Sequence, residues 1–415
     1  MASSQRLLLL IPTTTYRTED FVEAARALDV DLVIASDRHN VMAGEFPDHL
    51  LTLPFDDPAA AACEVRAYAA RRPLDAVVPV DDVTTVVASA VGEALGLRVN
   101  PLAAARATRD KQVMRERLAR AGVPSPSFTI VRLDEDPAAA ARRVRYPCVL
   151  KPRVLSASRG VIRADDEAGF VAAVARIRAI LSQPDVAALG EGTESLVVEA
   201  FVPGAEVALE GLLEAGRLRT LALFDKPDPL DGPYFEETIY VTPSRWPAAV
   251  QAAVREVTAR AAAALGLTDG AVHAELRLAG EGPRREPVML EIAARSIGGL
   301  CGRSLRFGTG LSLEELILRR ALGLPVEMER ERAAAGVMMI PIPRGGVLEE
   351  VHGLDAARAV PDIEDVTISL HKGQEVVPLP EGSRYLGFIF SRAAEPARAE
   401  AALREAHRHL RFVIH

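Results

Sequence analysis

Two glutamates, each set inside a short apolar run, restrict what this chain can fold into more than any other feature. Glu275 lies in Val272-His273-Ala274-Glu275-Leu276-Arg277, and Glu291 in Met289-Leu290-Glu291-Ile292-Ala293-Ala294-Arg295. Both runs read as buried strands, and the segment Ala279 to Arg285 between them reads as a turn. An unpaired buried carboxylate is costly, so a hairpin that brings these two together must find cations for them. Mg2+ with a phosphate-bearing ligand answers that need, because it takes one or two carboxylates plus substrate oxygens. The competing arrangement puts the glutamates on opposite strand faces, with Arg277 and Arg295 as their partners.

The 415 residues are too many for one hydrophobic core and suggest roughly two to four packed subdomains. Residues 1 to 105 alternate strand and helix signals: Leu7–Pro12, Asp31–Ala35 and Ala76–Val80 as strands, Thr18–Leu28, Pro58–Arg71 and Thr84–Leu95 as helices. That order predicts a parallel sheet flanked by helices. The first strand is followed by Ile11-Pro12-Thr13-Thr14-Thr15 where a dinucleotide site would need its glycines.

A helix is expected from Thr108 to Ala121, capped by Thr108 and stopped by Gly122 and Pro124. Next come strand Tyr146–Pro152, a small-residue loop over Arg153 to Gly160, strand Val161–Arg163, a helix near Asp166–Leu181 and strand Ser195–Glu199. Further strands follow at Ala205–Leu213, Leu218–Phe224 and Thr238–Val241, then helix Pro247–Leu265 and the glutamate hairpin. Beyond about 330, strands Val337–Ile342, Val366–Leu370 and Tyr385–Phe390 and helix Pro396–Leu410 read as a small α+β unit.

A net charge of −8 argues against nucleic acid as a partner. The Arg142-Arg143-Arg145 cluster reads as a solvated face. Cys63, Cys148 and Cys301 follow no metal-ligand spacing and read as reduced thiols. No apolar run reaches the length of a membrane span or a signal peptide core, and a cytoplasmic location is expected.

Three elements besides the glutamates carry chemistry. Lys151 ends a buried strand in Val149-Leu150-Lys151-Pro152, which delivers an ammonium to a sheet edge, for phosphate or for solvent. The loop Ser156 to Gly160 is small enough for backbone N–H groups to approach phosphate, although many hairpin loops share that composition. In Val198-Glu199-Ala200-Phe201-Val202-Pro203-Gly204-Ala205-Glu206, an extended backbone offers an adenine edge a donor and an acceptor, with an acid close behind for ribose.

Taken in order, Asp110-Lys111, Val149-Leu150-Lys151-Pro152, the serine loop, Val198 to Glu206, His273-Ala274-Glu275 and Leu290-Glu291 followed by Arg295 resemble the ATP-grasp superfamily, and within it the carboxylate–amine ligases of the L-amino-acid ligase type. The resemblance covers about residues 75 to 320. It implies an α/β and α+β architecture with a parallel-sheet N-terminal domain over 1–105, an ATP-grasp domain over 106–330 with a mobile lid at about 146–203, and a C-terminal α+β cap over 331–415. It implies ATP and Mg2+, or Mn2+ in its place, as cofactors. Lys111 and Lys151 would contact phosphates, with Ser156, Ser158 and Gly160 closing over them. Glu199, Ala200, Phe201 and Val202 would hold adenine and Glu206 ribose. Glu275 and Glu291 would bind metal, and Arg295 the carboxylate substrate or its acyl phosphate. Ala293 stands where the family has asparagine as a further metal ligand, which leaves the number of metal ions open.

The reaction so implied activates a carboxylate, that of an amino acid, as an acyl phosphate for attack by an amine, releasing ADP and phosphate. A carboxylase or purine-pathway ligase, or a nucleotide-binding protein without catalysis, are the alternatives. His273 shares a strand face with Glu275, where it orients substrate, acts as a base or simply satisfies a neighbour. Asp81 and Asp82 stand at a strand's carboxyl end, where α/β sheets bind ligands, and either hold a substrate amino group or cap the next helix. Arg303 and Arg306 are further candidate cations for a substrate carboxylate, and the segment Phe224 to Glu237 is read as a substrate-facing loop or a rigid turn. The partners expected are small molecules, with no membrane and with a homodimer through an apolar face of the N-terminal domain.

Overall fold

Leu7 to Leu10 are wholly buried, and they explain the first layer. In the computed structural model, which describes residues 5–187, 192–280, 282 and 285–415, they lie in strand Arg6–Leu10 at the inner part of a four-stranded parallel sheet. Its order is Leu50–Thr52, Asp31–Ser36, Arg6–Leu10, Ala76–Pro79. A strand buried on both faces reads as an unbroken apolar run, as this one does. Ala76–Pro79 ends at Asp81-Asp82, so both acids emerge at the carboxyl edge of the sheet.

An eight-stranded antiparallel sheet forms the middle of the molecule. Its order is Glu286–Ala293, Gly270–Ala279, Ala205–Glu214, Arg217–Lys226, Ile239–Thr242, Ala334–Ile340, Gly387–Ala393 and Ile363–Ile368. This one sheet carries strands from both sides of residue 330. Helix Ala248–Leu265 packs one apolar stripe, Val250, Val254, Val257, Ala261 and Leu265, against its first strands. A second antiparallel sheet, Phe128–Arg132, Ser195–Ala200, Cys148–Pro152, Ile162–Ala164, is covered by helix Glu167–Leu181 through Phe170, Val174, Ile177 and Leu181. Gly346–His352, Glu375–Val376 and Arg411–Ile414 make a small third antiparallel sheet near the C-terminus.

The expected helix from Thr108 to Ala121 is two helices, Leu102–Arg109 and Lys111–Arg120. Asp110 breaks them: it is extended, and its carboxylate accepts from the N–H groups of Gln112 and Val113. Thr108 is no cap, since its hydroxyl donates to the Ala105 carbonyl. The last long strand is Gly387–Ala393 rather than Tyr385–Phe390. Strands Leu50–Thr52 and Phe128–Arg132 and helix Leu313–Ala321 carry no signal strong enough to be read from their short or mixed sequences. Of the turn expected between the two glutamates, residues 281, 283 and 284 lie outside the described residues. No helix among the described residues is long and apolar enough to cross a membrane.

Candidate functional site

The eight- and four-stranded antiparallel sheets, the carboxyl edge of the parallel sheet and the segment 375–385 enclose one cavity of about 880 Å3. Lys111, Lys151, Ser156, Ser158, Ala200, Phe201, Val202, Glu206, His273, Glu275, Glu291, Asp81, Asp82 and Arg295 all line it, together with Glu199. Gly160 is not on its wall, although it ends the serine loop: its N–H donates to the Pro380 carbonyl at 2.9 Å. Arg303 lies elsewhere, paired with Asp20 at 2.8 Å against the first helix, so it is withdrawn as a substrate cation. Arg306 also lies off the cavity wall and donates to the carbonyls of Arg303 and Leu305.

Glu275 and Glu291 face each other across the hairpin as register partners, which puts them on one face of the sheet rather than on opposite ones. Their neighbours are not Arg277 and Arg295. Glu275 Oε1 lies 3.4 Å from Lys226 Nζ and 3.5 Å from His273 Nε2, and Glu291 Oε2 lies 3.5 Å from Lys111 Nζ. Arg277 instead grips Glu206 at 2.9 Å, and Arg295 grips Asp82 at 2.8 Å. Contacts of 3.4–3.5 Å are loose for charged partners, and each glutamate side chain keeps a quarter to a third of its surface exposed to the cavity. Two hard oxygen donors on adjacent strands, open on one side, fit a Mg2+ that shares its shell with phosphate. Ala293, buried, is the register partner of His273, so the place of the family asparagine lies directly across from the histidine.

Leu230, Phe235 and Glu237 of the segment Phe224 to Glu237 line the cavity, and Lys226 and Glu237, which the sequence does not mark individually, meet there. Oxygens of Glu206, Glu237 and Glu275 come within 4.8 Å of one another. The Lys226 ammonium sits among them, 2.7 Å from Glu206 and in direct contact with Glu237. The triad therefore already holds a cation, the lysine. Burial opposes the charge on Lys226, but the three carboxylates outweigh it and hold its pKa well above the ordinary value. Glu237 goes the other way: burial and the neighbouring Glu275 charge push it up to about 7, against the pull of Lys226.

Behind Glu275 and Glu291, His273 Nδ1 and Glu210 Oε2 are 3.1 Å apart, and Glu210 Oε2 also accepts from the Ile297 N–H at 3.0 Å. Burial would lower the histidine, yet Glu210 and Glu275 raise it to about 9. On the four-stranded antiparallel sheet, Lys151 Nζ lies 2.8 Å from Glu199 Oε2, whose other oxygen takes Arg115 at 2.6 Å. Glu199 is thus a buried acid between two cations; burial opposes its charge, but Arg115 and Lys151 prevail and hold it at about 2. The backbone beyond it is partly spoken for. Ala200 N–H donates to Ser127 and Phe201 N–H to Pro147, whereas Val202 N–H has no partner among the described residues. Arg163 stacks on the outer face of Phe201, with its guanidinium carbon 4.2 Å from the ring centre. Asp81 occupies the N-cap of helix Asp82–Leu95, one of the two expected uses of the pair, while Asp82 is paired with Arg295, which neither expectation described.

Three family models match the chain: an ATP-grasp N-terminal domain over residues 22–98, an ATP-grasp domain over 144–304, and L-amino acid ligase C-terminal domain 2 over 338–415. The chain is 29% identical over 238 residues to alanine–anticapsin ligase of Bacillus subtilis, covering 54% of this chain and 49% of that one. It is 34% identical over 231 residues to carnosine synthase 1 of Gallus gallus, covering 52% and 24%. The chain spans about half the length of the first of these relatives. An L-amino acid ligase from Bacillus licheniformis superposes with a TM-score of 0.84 over 100% of both chains at 26% identity. A phosphoribosylglycinamide synthetase from Anaerococcus prevotii shares the fold, with a TM-score of 0.68 at 16% identity over 99% of this chain.

Proposed function

We propose, for a chain that belongs to the ATP-grasp superfamily, an ATP- and Mg2+-dependent ligase that joins a carboxylate, that of an amino acid, to an amine. The observation that supports this most is the convergence of Lys111, Lys151, Glu275, Glu291 and Arg295 on one cavity, although nearly two hundred residues separate the first from the last. Those five groups match what the reaction needs. A carboxylate oxygen attacks the γ-phosphorus of ATP, the bond to the bridging oxygen breaks, and ADP leaves. The amine nitrogen then attacks the carbonyl carbon of the acyl phosphate, a C–N bond forms, phosphate departs and the nitrogen sheds a proton.

Phosphoryl transfer asks the protein mainly for position and charge neutralisation. Arg295 would hold the carboxylate, with Asp82 fixing the guanidinium plane. Lys151 and Lys111 would meet phosphate oxygens as point charges. Mg2+ held by Glu275 and Glu291 would supply further neutralisation of the phosphates. The serine loop would cover them and keep water from the acyl phosphate. For adenine, Val202 N–H is the donor left over once Ala200 and Phe201 have spent theirs on the protein. The domain limits near 105 and 330 and the lid at 146–203 are part of the same proposal.

Release of inorganic phosphate from ATP and Mg2+ with pairs of amino acids is the direct test. Glu291→Ala should lower that rate by at least about 10²-fold, and Phe201→Ala should chiefly raise the KM for ATP. Turnover with bicarbonate but with no amino-acid pair would transfer the chain to the carboxylating branch. An active Glu291→Ala enzyme would remove the metal assignment.

A further inference from the structure

The eight-stranded sheet is not paired throughout. Strand Arg217–Lys226 is bonded along its length to Ala205–Glu214, but on its other side it meets Ile239–Thr242 at one register pair, Asp225 with Val241. Continuing that antiparallel register would set Leu223 against Pro243, which has no N–H to give. The Thr242 hydroxyl donates to the Leu223 carbonyl at 3.0 Å in its place, and the ladder stops. Ser244 Oγ and the Arg245 N–H both donate to the Asp225 carboxylate, at 2.6 and 2.9 Å, which holds the turn after Pro243 in position. Arg217 to Ala222 therefore keep one backbone edge with no partner strand among the described residues.

A groove of about 960 Å3 runs along this edge. Leu218 to Leu223 form one wall, and the segment Leu324 to Arg330 contributes another. That segment lies in no strand, yet its exposure alternates as a strand's does. Leu324, Val326 and Met328 are half-buried against the core, with Pro325, Glu327 and Glu329 exposed between them. The N–H groups of Val326, Glu327 and Met328 have no hydrogen-bond partner among the described residues. Unused backbone groups thus stand on both walls, and an extended peptide is the ligand that uses such groups.

Charge narrows the choice of peptide. The chain carries a net −8, but Arg219, Arg255 and Arg330 line this groove against one acid, Glu214, which lies 3.7 Å from Arg320. Arg219 and Arg255 are exposed and have no hydrogen bond or ion pair among the described residues. Arg330 donates to the Ala333 carbonyl and is in no ion pair among them. Cations on an open edge repel neutral-to-basic strands and leave acidic ones favoured. A second copy of this chain, pairing edge to edge, would crowd both copies' Arg217 and Arg219 into one patch.

We propose that this groove docks an extended acidic segment of another protein, which adds a strand of about six residues beside Leu218 to Leu223, its carboxylates toward Arg219 and Arg255 and its apolar side chains toward Val326 and Met328. The proposal is independent of the ligase reading, because the groove shares no residue with the ligand cavity.

A fluorescein-labelled octapeptide alternating glutamate and valine tests this by anisotropy with the full chain. Its controls are the lysine–valine counterpart, the glutamate–valine peptide with every backbone amide N-methylated, and an RNA octamer. The glutamate peptide should bind at least about tenfold more tightly than each control, and Arg219→Glu with Arg255→Glu should weaken it at least about tenfold. Phosphate release with ATP should stay at the wild-type rate in that variant, since neither arginine lines the ligand cavity. Bound peptide should also slow amide hydrogen exchange across Arg217 to Leu223, which attraction between charges alone does not do. Absence of binding, equal binding of the N-methylated peptide, tighter binding of RNA, or unchanged exchange in that strand would each overturn the assignment.

Discussion

Lys226 shows how a single side chain decides what an acidic cluster is. Three glutamates that look like a ligand set are arranged around an ammonium, so Glu237 and Glu206 are bound by charge before any ion arrives. Glu275 belongs to both groups, since it faces Lys226 on one side and Glu291 across the hairpin. His273 allows a direct check on this electrostatic network. Its pKa in the folded protein, about 9, lies above the 6.5 of a free histidine. The protonated ring therefore stabilises the fold fully below pH 6.5, and that contribution is lost as pH rises through about 9. His273→Gln should flatten the alkaline fall of the unfolding free energy across this window, read by urea titration at successive pH values. An unchanged slope would mean that the histidine is neutral in the fold. Glu199 works on the opposite limb: its lowered pKa of about 2 contributes roughly 3 kcal/mol above pH 4.5, lost as pH falls toward 2.

Elements turn on residues that end them. Asp110 interrupts what reads as one helix, caps Lys111–Arg120, and also meets Arg153 just beyond strand Cys148–Pro152. Lys111 is thereby fixed as the first residue of a helix, its ammonium donating to the Leu155 carbonyl at 2.7 Å. Asp110→Ala should cost about 1–2 kcal/mol for the cap alone and more for the stranded Arg153. Urea unfolding measures it, and a change below about 0.5 kcal/mol would mean that solvent replaces the cap. The helix after the break is legible in the sequence from Thr108 to Ala121, but neither the break nor the helix Leu102–Arg109 before it is. An aspartate between Arg109 and Lys111 looks like any solvated helix position until its carboxylate is seen turned back onto Gln112 and Val113.

At the scale of the molecule, one buried arginine ties the N-terminal sheet to the rest. Arg17, 1% exposed, donates to the Val80 carbonyl, to Ser296 Oγ at 2.7 Å and to Glu314 at 3.0 Å. Val80 lies two residues before Asp82 and Ser296 one after Arg295, so the same guanidinium sets both segments of the Asp82–Arg295 pair. Arg17→Met should destabilise the protein by about 3–5 kcal/mol, because Glu314 is left charged and unpaired in the interior. Glu314→Gln in the same background should recover part of the loss, seen as a return of the denaturation midpoint.

By itself the sequence determined the parallel N-terminal sheet, the glutamate hairpin and the family, because apolar runs and motif order are local properties and burial follows them. Which charge answers which was decided only in three dimensions. Arg277 and Arg295 sit close to the two glutamates along the chain, yet Arg277 meets Glu206, its register partner on the neighbouring strand, and Arg295, beyond the strand's end at Ala293, meets Asp82. Lys226 and Glu237 lie in the segment Phe224 to Glu237, but only the fold shows that Glu237 lines the cavity with the buried Lys226 against it. The reason is physical: a strand's side chains alternate in direction, and an ion pair forms between whichever charges the packed sheets bring within a few ångströms.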